Sequence, residues 1–356
     1  MKKVSVIIPC YNVEKFVDRC MKYLTEQTIG FEENVEVIMV DDCSTDGTLA
    51  KLQEYEKKYP ENICLIPLEQ NMKQGAARNI AIEYATGEYV CYQDADDYLV
   101  PNALEKLYRA AKQNRAEITG YLFKYVFEGR PDDVTDTKSG KPDEMIEINS
   151  RMDRIYFIFS DKIIRGCWNK FYEREFILKN KLRYAEGIFD EESLFTYPAY
   201  MAVKRYYILN EYLYRYYQNQ ESTCYNLAMD ASHRDDNARC WLELYFELKA
   251  KGFVDEYPRE MEMVFIHNYF FRSFMYSARR DHKYTVARVK EMQETVNELF
   301  PDYRNNPYKT KDPNGLIMRV YPTLWADVNE GNIDKFNDYW KKVANLEDMG
   351  ADFRLK

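Results

Sequence analysis

The run Gln93-Asp94-Ala95-Asp96-Asp97 puts three carboxylates within four positions, directly after an apolar stretch. Like charges so close repel one another, and gathering them at a turn implies a cation that offsets the repulsion. A hard divalent ion held by one or two carboxylates together with phosphate oxygens is the usual solution. A solvated acidic turn is the plainer alternative. Two more polar stretches follow apolar runs in the same manner: Pro9-Cys10-Tyr11-Asn12, and Asp41-Asp42-Cys43-Ser44-Thr45-Asp46-Gly47. Far downstream, Asp190-Glu191-Glu192 forms a second acidic group. Carboxylates there suit either a general base or the amino-terminal dipole of a helix. The histidines at 233, 267 and 282 stand singly and have no metal-ligand spacing. Gly75 and Gly87 lack the Lys-Ser/Thr of a phosphate loop.

Positioning such groups requires a frame that brings the ends of several strands together. The β-branched run at 4–8 reads as a buried strand, and Val13, Phe16, Val17, Cys20, Met21 and Leu24 then recur at helical spacing. Further strands are predicted at 35–40, 63–68, 88–93 and 118–127, with helices between them near 49–59, 76–85 and 101–111. Ser44, Thr45 or Asp46 can cap the helix after the second strand. Continuous apolar strands alternating with helices predict an α/β fold, a doubly covered and mainly parallel sheet. Ligands of such a sheet sit beyond the carboxyl ends of its strands, which is where the three polar stretches fall. The segment 129–143 reads as an exposed loop. Helices dominate from about residue 230, so two lobes are expected.

The chain has 356 residues and a formal net charge of -9, which gives no overall footprint for nucleic acid. Its 8 cysteines include no CxxC pair and several sit in apolar runs, as buried small hydrophobes in a reducing compartment do. The short apolar amino terminus ends at Pro9 and is not read as a signal peptide, and no apolar run reaches the length of a membrane span. A cytoplasmic protein is expected. The aromatic and basic segment 263–280 suggests a peripheral contact with the inner face of the membrane, against the simpler expectation of a buried helix.

The runs VSVIIPCYN, VEVIMVDDCSTDGT and NMKQGAARNIAIEYATGEYVCYQDADDYL together resemble the inverting family 2 glycosyltransferases of the GT-A fold, over about the first 125 residues. A weaker likeness to bacterial polysaccharide-building members continues through CWNKFYEREFI, YAEGIFDEESLFTYPAY and LYRYYQNQEST. The resemblance implies a GT-A domain over 1–225, with a donor half at 1–128 and an acceptor half at 145–225, followed by a helical domain at 226–356. Its implied activity is metal-assisted, hexosyltransferase-type transfer from a nucleotide sugar, with UDP expected because Asp42 suits the uracil edge, to a glycan or lipid-linked glycan. Pro9, Tyr11 and Asn12 would shape the loop under the base, and Asp42 would accept from uracil or ribose. Arg78 would lie near the diphosphate or donor sugar. Asp94 would contact the ribose or the metal's water, Asp96 would ligate Mn2+ or Mg2+, and Asp97 is the alternative ligand. Where the family has Glu-Asp three residues before a Phe, this chain has Glu191-Glu192, so Glu192 is the implied base with Glu191 beside it. Trp168 either stacks on an acceptor sugar or packs, and Lys170 is expected to face the donor phosphates. A catalytically altered sugar-binding protein on the same fold is the competing expectation, and a sugar nucleotidyltransferase is disfavoured because no glycine-rich loop follows the first strand.

Overall fold

The computed structural model describes residues 2–130, 133–160, 162, 164–218, 235–280, 282–310 and 320–347. The acceptor-like stretch from Asn219 onward, Cys224, His233 and the expected boundary at 225 lie outside them. The chain divides into two compact units, 1–153 with 165–222, and 154–164 with 223–356.

In the first unit β1 (Val4–Cys10), β2 (Val35–Asp41), β3 (Ile63–Pro67) and β4 (Tyr89–Tyr92) pair in parallel. Beyond β4 the sheet changes character. β5 (Tyr98–Leu99), β6 (Ile118–Phe127), β7 (Glu144–Glu147), β8 (Lys170–Glu173) and β9 (Arg205–Gln218) complete the order β3-β2-β1-β4-β8-β6-β9-β5, with β7 on β9. β8 inserts antiparallel to both β4 and β6, and β6 runs parallel to β9. It follows that β1, β2, β3, β4, β6 and β9 all direct their carboxyl ends to one edge, and β5, β7 and β8 run the other way. The sheet is therefore mixed, with its parallel half where the sequence pattern is clearest.

Helices cover this sheet because their apolar stripes match it. α1 (Glu14–Thr25) buries Val17, Cys20, Met21 and Leu24, the spacing seen in the sequence. α2 (Phe31–Asn34) and α3 (Thr48–Lys58) flank β2. At α3 the cap position is Gly47, and the capping bond comes from one residue earlier, where Asp46 Oδ1 accepts from Thr48 N at 3.0 Å. α4 (Lys73–Tyr84), α5 (Ala103–Asn114), α7 (Arg174–Lys179) and α8 (Glu192–Ala202) follow, while α6 (Arg151–Ile158) lies mostly in the second unit. The described cysteines form no disulfide.

The second unit is helical, with segments at Asp236–Ala250, Pro258–Phe265, Arg272–Arg279, Val286–Leu299 and Ile333–Glu347, and a π-helical stretch at Ile266–Phe271. Phe265, Tyr269, Phe270, Phe271, Phe274 and Met275 are all buried in its interior. This corrects the expectation of a membrane-facing surface at 263–280, since rings that fill a core offer nothing to a lipid interface. No described helix is long and apolar enough to cross a membrane.

Candidate functional site

The loops after β1 and β2 are tied together at the carboxyl edge. Asn12, at φ 52°, accepts on Oδ1 from Thr45 N at 2.8 Å, and its own N–H donates to Ser44 Oγ at 3.0 Å. Asn12 thus braces the crevice floor, and Tyr11, 45% exposed, presents its ring above it. Pro9 is the penultimate residue of β1, paired with Val40. Asp42 is buried, and its Oδ1 accepts from Met72 N at 2.6 Å, which fastens the β2 loop to the start of α4. Burial pushes its carboxyl above the ordinary range. Asp41, which the sequence did not single out, is equally buried. Ser44 N donates to its Oδ2 at 3.2 Å, and its Oδ1 meets no donor among the described residues.

α4 is the hub of the site. Arg78 is 2% exposed and its guanidinium forks between two carboxylates: Nη2 donates to Asp94 Oδ1 at 2.8 Å and Nη1 to Glu191 Oε1. Gln74 Nε2 donates to the other oxygen, Glu191 Oε2, at 3.0 Å. Burial pushes the Glu191 carboxyl up, and the Arg78 charge pulls it back. The next residue after Arg78, Asn79, accepts from Tyr184 N at 2.8 Å and donates to Tyr184 O at 3.0 Å and Glu186 Oε1 at 2.9 Å. The segment 184–192 is therefore clamped to α4 at both ends. Gly75 makes the approach feasible, since a Cβ there would stand 2.1 Å from Ala185 O and 3.0 Å from Glu191 Cγ. Gly75→Ala is expected to cost about 1–3 kcal/mol in urea unfolding, as overpacking does, and to lower turnover as well. Unchanged stability and turnover in that variant would remove the clamp from the account.

The three acids after β4 have distinct surroundings. Asp97 is buried and its Oδ1 accepts from Tyr217 N at 2.7 Å, so this carboxylate is a strut between the turn and β9. That bond engages one oxygen of Asp97, the residue expected as the alternative metal ligand. Asp94 is pinned from both sides, by Arg78 and by its own N–H donating to Tyr214 Oη at 3.1 Å. Asp96 is anchored through its carbonyl, which accepts from Arg19 Nη2 at 2.6 Å, and its side chain makes none of these bonds. Burial first, then the Asp94 charge, pushes its carboxyl up to about 6. Asp96, with its raised pKa, and Asp94 crowded beside it fit a divalent ion whose remaining ligands come from substrate. No group of three His, Cys, Asp or Glu among the described residues is arranged to hold a metal alone.

Of the downstream acids, Asp190 is exposed at φ 65°, Glu191 is sealed against Arg78, and Glu192 is half-buried at the first turn of α8. Cys167 N donates to Glu192 Oε1 at 2.9 Å, which aims the carboxylate without neutralising it. Lys170 does not face the crevice. Its buried ammonium donates to Gly166 O and, at 2.7 Å, to Asn169 Oδ1, closing its own loop, and burial pulls it down to about 7. Trp168 packs: its ring stacks on Tyr214 at 4.9 Å and meets Phe123 edge-on at 4.8 Å.

Residues 5–178 match the family described as Glycosyl transferase family 2. The chain is 34% identical over 218 residues to a poly(ribitol-phosphate) beta-glucosyltransferase of Bacillus spizizenii, a match covering 60% of this chain and 32% of that protein. It is 27% identical over 277 residues to a cholesterol galactosyltransferase of Borreliella burgdorferi, covering 76% of this chain and 75% of that one. The chain thus spans only about a third of the first relative's length. Among solved structures, S. aureus TarS 1-349 in complex with UDP superposes with a TM-score of 0.62 at 24% identity, over 99% of this chain and 93% of that one. That likeness establishes the fold.

Proposed function

Because residues 5–178 belong to glycosyltransferase family 2, on the GT-A fold, we propose that the protein transfers a sugar from a UDP-sugar to a hydroxyl of a glycan or lipid-linked glycan with inversion. The observation that carries this reading is the double ion pair of Arg78, which fixes the acidic turn and the loop bearing Glu192 in one frame. Tyr11 and the Asn12-braced loop receive the nucleoside. Asp42, with the buried Asp41 beside it on the same edge, accepts from the uracil or ribose. Arg78 directs positive charge towards the turn where the diphosphate leaves. Asp96, with Asp94 beside it, would hold a divalent ion, which when bound supplies charge to offset that of the leaving nucleoside diphosphate. Glu192 takes the proton from the acceptor hydroxyl as that oxygen attacks the anomeric carbon, and the carbon–oxygen bond to the diphosphate breaks on the opposite face.

Calorimetry with UDP and Mn2+ tests the donor half. Binding is expected to need the ion and to be lost in Asp96→Ala. It is also expected to weaken as pH falls through about 6, because protons compete with the cation for the Asp96 carboxylate and its raised pKa brings that competition close to neutrality. Equal UDP affinity in Asp96→Ala with Mn2+, or at pH 5 and pH 7, rules out this assignment.

A further inference from the structure

Between the start of α1 and the carboxyl ends of β6 and β9 lies a cavity of about 800 Å³. β6 and β9 run in the same sense as β4, so this cavity opens at the edge that carries the site. Its size suits a saccharide- or polyol-sized ligand and greatly exceeds a single ion. Lys15, Arg19 and Arg130 line it, against one carboxylate, Glu128. In a chain of net charge -9 that is a local reversal of sign. Its walls also carry the rings of Phe16, Phe127 and Tyr217. Arg19 lies 4.0 Å above the Tyr217 ring, and its Nη2–H donates to Asp96 O. Tyr217 N in turn holds Asp97, so the wall of the cavity is also the back of the acidic turn.

We infer that this cavity is an acceptor subsite that takes a phosphate-bearing polyol or sugar, the phosphate on the cations and the carbon chain against the rings. Charge selects the ligand, since guanidinium and ammonium groups converging on one space favour a phosphate over a neutral hydroxyl chain. Arg19 couples the subsite to the turn: an anion on its guanidinium lies one residue contact from Asp96. The inference rests on the transferase reading for its role as acceptor site, whereas the binding itself does not depend on it.

The test is a titration of a glycerol-phosphate hexamer into the full chain, with the donor pocket filled by saturating UDP and Mn2+, and repeated without them. Maltohexaose, inorganic phosphate at matched phosphate concentration and phosphatidylglycerol vesicles are the comparison probes. The variant is Lys15→Gln with Arg130→Gln, two exposed positions whose loss leaves the core intact. The hexamer is expected to bind the wild type, to bind the double variant about tenfold or more weakly, and to lose much of its salt dependence there, with UDP affinity unchanged. Equal hexamer affinity in the double variant overturns the inference. So does maltohexaose or bare phosphate binding as tightly as the hexamer, or vesicles binding where the hexamer does not. Absence of UDP binding in the wild type would instead count against the transferase reading, while the hexamer titration without nucleotide still decides the cavity.

Discussion

Glu192→Gln is expected to lower kcat by roughly 10²- to 10⁴-fold and to leave UDP affinity nearly unchanged, the signature of a group that acts only in the transition state. Three neighbouring acids compete for the role of base, and the structure separates them by what each already holds. The Glu191 oxygens are committed to Arg78 and Gln74, and a carboxylate sealed under a guanidinium has no open path to an acceptor hydroxyl. Asp190 is exposed at a positive φ, outside the helix that carries Glu192. Glu192 has one oxygen directed by Cys167 N–H and is still reachable from solvent. Gln at 192 keeps the shape and the carbonyl acceptor for Cys167, so folding should be untouched and only proton uptake lost. Turnover assays of Glu192→Gln, Glu191→Gln and Asp190→Asn, each paired with UDP calorimetry, decide the matter. If Asp190→Asn abolishes turnover and Glu192→Gln stays near wild type, the base is Asp190.

The parallel half of the sheet and its polar loops were legible because their signals are local. β1 and β2 are largely apolar runs buried at all but one position each, and the loops after them differ from their surroundings within a few residues. The acids at 94–97 stand out by type and spacing, whereas the roles given to Asp96 and Glu192 are what the family resemblance implies. What sequence could not show depends on contacts between distant residues. Arg78 was placed near the diphosphate, yet its partner Glu191 lies 113 positions away. Asp97 looked like its neighbour Asp96, and only the pairing of β5 with β9 reveals that it braces a backbone N–H. Lys170 carried a charge that suggested an anion, but its ammonium turns back on Gly166 and Asn169. The antiparallel insertion of β8 was likewise hidden, because strand direction is set by the connection and leaves no trace in strand composition. The aromatic segment 263–280 shows the same limit, since a helix that is apolar nearly all round reads alike for a core and for a membrane surface.

Arg78→Met is expected to destabilise the first unit by about 3–5 kcal/mol near neutral pH, because removing one member of a buried ion pair leaves the others uncompensated. Methionine fills most of the arginine stem, so the loss is chiefly of charge and of the fork. Two carboxylates are stranded: Glu191, fully buried, and Asp94, about 29% exposed and so partly relieved by water. The charge origin makes the deficit depend on pH, with a definite sign. Without Arg78 the main influence opposing the burial of Glu191 is gone and the Gln74 hydrogen bond offsets it only in part, so its folded pKa rises further above the unfolded value near 4.5. Below that unfolded value the group is protonated in both states and costs nothing. As pH rises through the folded pKa the unfolded state ionises more readily, and the deficit grows to its full size. Urea unfolding of variant and wild type at pH 5 and pH 8 should therefore show a clearly smaller gap at pH 5. A gap of the same size at both values would mean that packing, and not the stranded carboxylates, accounts for the loss. Arg78→Lys supplies the control for geometry, since it restores a charge without the fork that reaches Asp94 and Glu191 together. Its stability should lie between the two, while turnover stays low at either pH, because the acidic turn and the loop of Glu192 no longer share a tether.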